Sequence, residues 1–235
     1  MIVSINQPAY LPWLGYFHRI AASDLHIVLD HVQFEKNSFT NRNKIRTAAG
    51  PCWLTVPVRT GGRFGELPIM NVEIAEPAWR RKHWDSLRFA YAKAPFFRDH
   101  QHFFRGVYER DWPLLMPLQT EITGRLCAAF DIATPRISSS ELRVQGRKGD
   151  LVLALCRAVG ATTYLSGPLG RDYLDPDAFA AAGIRLAFHD YRHPEYRQVS
   201  PGFEPFMAGP DLLFNHGPQS GAILRSGQVA IAAAA

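Results

Sequence analysis

The amino-acid sequence predicts an α/β fold built around a largely parallel sheet. The first thirty residues carry two short apolar runs, at 2–5 and 25–29, with an amphipathic helix between them, which is the pattern of a βαβ unit. Strand-like and helix-like runs alternate again between residues 136 and 188. The stretch between these parts contains a hairpin signal and then several helical patterns. We therefore predict a Rossmann-like sheet formed from both ends of the chain, with an inserted β-hairpin and helical segment.

The N-terminal unit predicts where a ligand would bind. Residues 2–5 are apolar and largely β-branched, as in a buried strand. Pro8 and Pro12 confine a tight loop, and apolar residues then recur on one helical face up to Ala21. Ligands of open α/β sheets bind beyond the carboxyl ends of the strands. We therefore predict a site from the side chains that follow the two strands: Gln7, Tyr10, Asp30, Gln33 and Lys36.

Residues 31–46 hold neither a helical nor a strand period and are rich in hydrogen-bond donors. A purely structural loop rarely needs so many. Arg42 can bind a phosphate or carboxylate through two parallel hydrogen bonds. We predict that this segment grips an anion through Gln33, Lys36, Asn41 and Arg42; a hydrogen-bonded surface loop is the alternative.

Residues 50–130 are predicted as a mostly helical insertion within one domain that covers residues 1–235. Strand-like runs at 53–58 and 70–74, with Gly61-Gly62 in the turn between them, predict a β-hairpin. A helical pattern begins at Pro77 and includes Trp79 and His83. Further helices are predicted at 98–109 and 114–130.

The C-terminal part predicts further strands of the same sheet. Residues 136–143 form a short strand that enters a serine-rich turn. A helix at 150–159, a strand at 162–166, a helix at 176–182 and a strand at 184–188 follow, with Gly183 ending the second helix. Residues 191–226 are predicted to wrap the sheet around a short element at 211–215. The alanine-rich end, 229–235, is predicted to fray.

The composition limits the classes of protein and partner. Apolar residues make up 47% of the chain, enough for a full core, and no apolar run is long enough to cross a bilayer. No basic region precedes an apolar core at the N-terminus, and the three cysteines lack metal-like spacing, so we predict a cytoplasmic protein with free thiols. The formal charge of +5 suits an acidic small molecule such as a nucleotide or nucleotide sugar. Because basic and acidic residues are mixed, an ordinary solvated surface is the alternative, and nucleic acid is not the predicted partner.

Two side chains are candidate proton acceptors. Asp30, at a strand end, could orient a base, bind a ribose hydroxyl or hold a metal, or it could cap the next turn. His83, beside Lys82 on an amphipathic helix, could remove a proton or donate to a phosphate, or it could be a packed histidine. His189 and His193 have no third ligand of fixed spacing, so no metal site is predicted, and no cofactor is assigned.

Other side chains are candidates for ligand binding. Ser139 lies in a serine-rich turn that could hold a phosphate or could simply cap a helix. Arg143 and Lys148 form a second set of anion binders. Trp13 and Tyr173 offer aromatic faces for a base or sugar, with core packing as the alternative.

Two parts of the chain resemble nucleotidyltransferases of the HxGH type. Residues 137–143, Ile-Ser-Ser-Ser-Glu-Leu-Arg, are similar to their phosphate-contacting I-S-S-T-x-[IL]-R motif. Residues 13–16, Trp-Leu-Gly-Tyr, stand in the place of the HxGH tetrad and keep its glycine but neither histidine. The resemblance implies a related fold, and the lost histidines argue against standard nucleotidyl transfer.

A second resemblance spans nearly the whole chain. Separated motifs in one order are similar to the WbqC-like family, at residues 7–16, 29–36, 41–45, 53–57, 79–83, 164–167 with 172–173, and 211–215. Lys148-Gly149 departs from the family's usual Lys-Thr, and Met207-Ala208 replaces its Leu-Ser pair. The resemblance implies a setting in surface-polysaccharide or modified-sugar pathways. Ser166 and Tyr173 lie in these motifs and are binding candidates on that basis.

The resulting hypothesis is a transferase of surface-polysaccharide or modified-sugar biosynthesis, which moves an acyl or aminoacyl group onto an amino sugar or similar amine. Lys36, Arg42 and Arg143 would bind the anionic part of a nucleotide sugar or of a carrier-bound acyl donor. His83 or Asp30 would remove a proton from the attacking group. The alternatives are a nucleotidyltransferase-like enzyme that activates a carboxylate or phosphate with a nucleoside triphosphate, and a non-catalytic binding protein of a glycan-assembly pathway.

Overall fold

The structure is a computed structural model. It describes residues 1–63 and 65–233, and for residues 228–233 it describes the backbone alone. The strands are β1 (Ile2–Asn6), β2 (Leu25–Val28), β3 (Arg42–Thr47), β4 (Gly50–Thr55), β5 (Val58–Arg59), β6 (Glu73–Ile74), β7 (Arg136–Ser138), β8 (Thr163–Ser166), β9 (Arg185–Arg192) and β10 (Gln228–Ala233). The α-helices are α1 (Leu14–Ala21), α2 (Ala78–Tyr91), α3 (Phe97–Glu109), α4 (Leu115–Ala129), α5 (Lys148–Ala158), α6 (Pro176–Ala181), α7 (Gly209–His216) and α8 (Ser220–Ser226).

The central sheet confirms the predicted Rossmann-like α/β fold. Its strand order is β10-β9-β8-β1-β2-β7; β10 pairs antiparallel with β9, and the remaining neighbours are parallel. From β1 the chain adds β2 and β7 on one side, and it then returns to add β8 and β9 on the other. The strand order therefore reverses between β1 and β8, and the crevice at such a reversal is where open α/β sheets bind ligands.

The predicted N-terminal βαβ unit is confirmed. β1 and β2 pair in parallel, with Val3 opposite Leu25 and Asn6 opposite Val28. The predicted apolar face of α1 is completely buried at Leu14, Phe17 and Ile20. Its opposite face, which carries Gly15 and Arg19, is left to line the crevice.

The inserted hairpin is real, but its predicted strand pairing is wrong. β4 pairs with β3, with Arg42 opposite Thr55, so part of the segment predicted as a ligand-binding loop is a strand. The predicted partners, residues 53–58 and 70–74, meet only where Val58 and Arg59 face Ile74 and Glu73. The close turn at 48–50 brings β3 and β4 together, and Pro57 lacks the N–H that would continue the strand.

The helices cover the sheet in two apolar layers. One cluster of buried side chains joins α1 to α2, α3, α4 and α7, and a second joins α5 and α6 to the other face of the sheet. The predicted helices at 98–109 and 114–130 are observed as α3 and α4 within one residue at each end. The extent of the insertion, 50–130, stays a prediction.

The C-terminal end departs from expectation. β9 extends to Arg192, four residues beyond its predicted end, and its backbone pairs with residues 228–233. The prediction that the alanine-rich tail frays is therefore wrong for residues 229–233, while 234–235 lie outside the described residues. No helix in the described part of the chain is long and apolar enough to cross a membrane.

Candidate functional site

A cavity of about 450 Å³ lies where the strand order reverses, beyond the carboxyl ends of β1 and β8. Its floor comes from Asn6 and Gln7 after β1, and one wall comes from the Gly167–Gly170 turn after β8. α1 supplies a second wall. The remaining lining side chains are mostly aromatic or polar: Trp13, Tyr16, Arg19, Phe39, Tyr164, Tyr173, His189 and Tyr191.

Arg19 supplies positive charge to this cavity. Among the described residues, no carboxylate lies within ion-pair distance of its guanidinium, and its buried Nε has no hydrogen-bond partner. Burial lowers the pKa of Arg19, and the nearby hydroxyls of Tyr164, Tyr16 and Tyr173 oppose that shift. Arginine nevertheless stays protonated in proteins. A half-buried guanidinium with no carboxylate partner and an unpaired, buried Nε indicates a place for an anion that the protein itself does not provide.

A second unpaired donor lines the same cavity. Asn6 ends β1, and its buried side-chain Nδ2 has no partner among the described residues. Buried amide groups are nearly always hydrogen-bonded. The amide of Asn6 and the guanidinium of Arg19 therefore leave donors to spare in one cavity, and an oxyanion would satisfy them.

Gly167 is what lets the guanidinium lie against the turn after β8. A Cβ at this position would fall well inside contact distance of Arg19 Nη1, while the backbone angles, φ −72° and ψ 168°, suit any residue. We therefore expect Gly167→Ala to fold normally but to displace the guanidinium. A roughly tenfold loss of affinity for a nucleoside diphosphate, measured by calorimetry, is the expected result, which corresponds to about 1.4 kcal/mol. Gly106→Ala, at an exposed position of α3 where an added Cβ meets no atom within 4 Å, serves as the comparison for a glycine-to-alanine change; unchanged affinity in Gly167→Ala would contradict this role.

A histidine pair closes the cavity behind Arg19. His18 Nδ1 and His189 Nε2 are 2.8 Å apart, so one ring N–H donates to the other ring. Burial lowers the pKa of His189 to about 3, with His18 and Arg19 acting in the same direction, and burial also lowers the pKa of His18. Both rings are therefore neutral at neutral pH. Arg171, near the rim, is paired with Asp190 at 2.8 Å, which leaves Arg19 as the cation available to a ligand in the described lining.

The mouth of the cavity is aromatic and apolar. Phe39, Leu169 and Tyr173 line it and are largely exposed, Tyr173 at 47%. Exposed aromatic rings around a polar cavity suit the flat face of a base or sugar.

Three predicted site residues line this cavity, and a fourth lies directly behind its wall. Gln7, Trp13 and Tyr173 face it. Ser166 is buried at the end of β8, and its hydroxyl donates to the carbonyl of Gly167 at 3.1 Å. Ser166 thus supports the turn that carries Gly167.

Asp30 and Ser139 come together, as strand-end reasoning predicted, but they satisfy each other. Asp30 Oδ1 accepts from Ser139 Oγ and from the Ser140 N–H, both at 2.9 Å, and Oδ2 accepts from Ser140 Oγ at 2.7 Å. Ser139 Oγ also meets His31 Nδ1 at 2.6 Å. The carboxylate therefore holds the serine-rich turn after β7, as the turn-capping alternative for Asp30 describes, while Ser138 and not Ser139 is the N-cap residue of that turn.

His83 and Tyr10 lie inside the helical layer. His83 Nδ1 is 2.8 Å from the Tyr10 hydroxyl, which is 2.6 Å from the Tyr108 hydroxyl. Burial lowers the pKa of His83 to about 4, although a hydrogen bond to the backbone of Thr55 opposes the shift. Tyr10 is wholly buried and Lys82 is exposed on the outer side of α2, so the structure does not bring these three side chains to the cavity.

His83 should make the protein sensitive to acid. Its pKa is lowered in the folded state, so its contribution to stability is complete above its unfolded pKa of 6.5 and is lost as pH falls through about 4. Full protonation corresponds to a loss of about 3 kcal/mol at ~1.4 kcal/mol for each pKa unit. Urea unfolding at pH 7.5 and 4.5 should show this loss, and His83→Gln should lose less than the wild type between the two pH values. An identical loss in both proteins would contradict the assignment.

The predicted anion-binding segment mainly braces the hairpin. Asn41 Nδ2 donates to the Val56 carbonyl, and Gln33 bonds the backbone of Phe34 and Leu67. Arg42 lies over the Trp53 ring at 4.6 Å and donates to the carbonyl of Asn37, and Lys36 is exposed in the same loop. The side chains predicted to bind the anion, Gln33, Lys36, Asn41 and Arg42, lie outside the lining of the cavity, which Phe39 reaches instead.

Arg143 and Lys148 lie on a different surface. Both are exposed, with φ of 54° and 48°. Lys148 begins α5 and lines a smaller cavity of about 340 Å³ together with Tyr173. Tyr173 therefore stands between this cavity and the one that holds Arg19.

Sequence reasoning did not assign three polar residues to this cavity: Asn6, Arg19 and His189, the last of which was considered only as a metal ligand. Asn6 is the last residue of β1, one position before Gln7, and His189 follows the predicted end of a strand. The strand-end rule could have found both. Arg19 lies four residues after Gly15 on the face of α1 opposite the apolar stripe, and only the return of β8 beside β1 shows that this face lines a site. No group of three or more His, Cys, Asp or Glu side chains in the described chain is arranged to hold a metal.

Comparison with known proteins gives one family match. The model of the WbqC-like protein family matches residues 7–223. The chain is 35% identical over 225 residues to an uncharacterized protein of Mycobacterium tuberculosis, Rv1507c, and the match covers 95% of the chain and 97% of that relative. No solved structure matches.

Proposed function

The chain belongs to the WbqC-like protein family, and from this premise we propose that it is a transferase of surface-polysaccharide or modified-sugar biosynthesis. The transferred group is an acyl or aminoacyl group, and the acceptor is an amino sugar or similar amine. The donor enters the cavity at the reversal of strand order through its phosphate-bearing part. This proposal combines the family's setting with the chemistry of one cavity.

The observation that carries the proposal is that the unpaired Nε of Arg19 and the unpaired Nδ2 of Asn6 belong to side chains that line the same cavity. A phosphate oxygen would accept from both groups, and a guanidinium binds phosphate in a fork-like geometry. The aromatic mouth, with Tyr173 and Phe39, would contact the base or sugar of a nucleotide. In this scheme Asp30 and His83 hold the surrounding structure, because their hydrogen bonds are already made within the protein.

A thermal-shift titration tests the donor site. UDP, ADP and a UDP-linked amino sugar are added to the full chain, with inorganic sulfate as the control for general anion effects. A ligand at 100 times its Kd stabilises by about 2.7 kcal/mol, which raises the Tm of a chain of this size by about 5–10 °C. If no phosphate-bearing ligand moves the Tm beyond the sulfate control, the proposal fails.

The same samples test nucleotidyl transfer. The hydroxyls of Ser139 and Ser140 both donate to Asp30, so neither hydroxyl has a proton left to donate to a triphosphate. We expect no release of pyrophosphate from ATP, CTP, GTP or UTP. Release with one of them would replace the transferase proposal by the nucleotidyltransferase-like alternative.

A further inference from the structure

A second cavity, of about 330 Å³, lies between α4 and the strands β2 and β7. Tyr16 lines both this cavity and the one that holds Arg19, so one aromatic ring stands between the two spaces. Nothing in the proposed donor site uses this second cavity. Its polar groups differ from those of the first.

Gln119 gives the second cavity an unsatisfied acceptor. The side chain is 1% exposed, and its Nε2 donates to the carbonyl of Thr40 at 2.6 Å. This bond fixes the orientation of the amide, because a carbonyl can only accept. The buried Oε1 then has no partner among the described residues. An unsatisfied buried acceptor opposes folding, and a ligand O–H or N–H that donates to it would remove that penalty.

The other polar groups in this cavity are mainly acceptors. The hydroxyls of Thr120 and Thr134 donate to the backbone carbonyls of Met116 and Ile20, both at 3.0 Å, so toward a ligand these two oxygens can act only as acceptors. Glu141 adds a carboxylate at the end of β7. Arg136 also lines the cavity, on its exposed side. The chemistry favours a ligand that carries several donors, such as hydroxyl and amino groups.

The cavity continues into a wide surface groove of about 680 Å³, which shares Met116, Thr120 and Ser138 with it. Trp112 and Phe103 give this groove two aromatic faces, and Glu121 gives it a carboxylate. Trp112 is held in place because its Nε1 donates to the Val107 carbonyl at 2.7 Å and the guanidinium of Arg110 covers the ring at 3.8 Å. Rigid aromatic faces beside hydrogen-bond acceptors suit a sugar, which has apolar C–H faces and a rim of hydroxyls.

We propose that this cavity and groove bind a saccharide through its hydroxyl and amino donors, with one sugar unit against Gln119 and a second along Trp112. The two cavities offer opposite hydrogen-bonding groups: the first offers hydrogen-bond donors to an anion, and the second offers hydrogen-bond acceptors to a polyol or amine. Tyr16 separates them, so a donor and an acceptor could occupy neighbouring spaces at the same time. Only the assignment of this saccharide as the acceptor rests on the proposed function; its binding does not.

The test is a binding titration without any nucleotide. Glucosamine and its β-1,4-linked disaccharide are the probes, and binding is measured by ligand-observed NMR and calorimetry. We expect both to bind, the disaccharide more tightly. Gln119→Leu should weaken binding at least tenfold, because the apolar side chain of similar size cannot accept a hydrogen bond. Gln145→Leu, an exposed position in the loop after β7, is the matched control and should bind as the wild type does.

A second variant covers the case that Gln119→Leu fails to fold. Thr123 lines the same cavity, and Thr123→Val keeps its shape while removing a hydroxyl, so it should also weaken binding. Absence of binding by both probes, or binding that neither Gln119→Leu nor Thr123→Val changes, would overturn the inference. Equal affinity for the two probes would remove the groove from the site. If the saccharides bind and no nucleotide does, the saccharide site is supported and the proposed donor site is contradicted.

Discussion

Replacing Arg19 with methionine is expected to weaken the binding of a nucleoside diphosphate about 100-fold or more. Methionine fills a similar volume but offers no charge and no donor, so Asn6 alone would remain to bind the phosphate. Hydrogen bonds to charged groups contribute about 1.5–3 kcal/mol each, and a fork of two reaches the expected loss at ~1.4 kcal/mol for each factor of ten. Calorimetry with ADP or UDP provides the measurement.

The same substitution should leave the fold as stable as before or make it more stable. In the ligand-free protein the half-buried Arg19 has no carboxylate partner and its buried Nε has no hydrogen-bond partner, and such an unsatisfied donor opposes folding. A residue that serves ligand binding at the expense of stability gives this combination, whereas a structural residue does not. Urea unfolding of Arg19→Met therefore separates the two roles.

Two further variants sharpen the result. Arg19→Lys keeps the charge but loses the fork, so its affinity should fall between those of the wild type and Arg19→Met. Arg185→Met removes an exposed arginine at the start of β9, at the other end of the sheet, and should bind normally. If Arg19→Met lowers the free energy of unfolding by more than about 1 kcal/mol and leaves binding intact, Arg19 is structural and the donor site is wrong.

The location of the site was predictable from the sequence to the extent that it depends on local pattern. The apolar run that forms β1, the proline-bounded loop and the apolar face of α1 are encoded within twenty residues, so Gln7 and Trp13 could be assigned to the carboxyl end of the strand. The polar face of α1 has no such local signal. Arg19 becomes a site residue because β8, more than 140 positions later, pairs with β1 and places Gly167 beside it.

The two predicted catalytic residues show where prediction from local sequence fails. Asp30 lies two residues after the end of β2 and His83 shares a helix with Trp79, and both are plausible catalytic residues when only the neighbouring sequence is considered. Their partners come from distant segments: Ser139 is 109 residues from Asp30, and Tyr10 is 73 residues from His83. A titratable group is available to a substrate only if its hydrogen bonds are not already satisfied within the fold. The sequence alone does not show whether they are.

A different aspartate is expected to have the largest effect on stability. Asp211, in the first turn of α7, is 0% exposed and accepts from the hydroxyls of Tyr91 at 2.8 Å and Tyr196 at 2.7 Å and from Gln198 Nε2 at 2.9 Å. The Tyr91 hydroxyl in turn accepts from the N–H of Arg46 in β3. The carboxylate therefore ties α7, α2, the hairpin and the segment after β9 together. Asp211→Ala leaves three donors without their acceptor and should lower the free energy of unfolding by about 3–5 kcal/mol.

The pH dependence of that loss tests whether Asp211 acts as a buried carboxyl group. Burial raises its pKa, more than the hydrogen bonds from Tyr196, Tyr91 and Gln198 lower it. A raised pKa means that the contribution of the group is complete below its unfolded pKa and declines as pH rises through its folded pKa. The difference between the wild type and Asp211→Ala should therefore be larger at pH 4, close to the unfolded pKa of 3.8, than at pH 7.5, opposite in sign to the effect of His83. Asp150→Ala, an exposed aspartate in the first turn of α5, should cost only a few tenths of a kcal/mol from the helix dipole. A cost below about 1 kcal/mol for Asp211→Ala would show that the network does not hold these elements together.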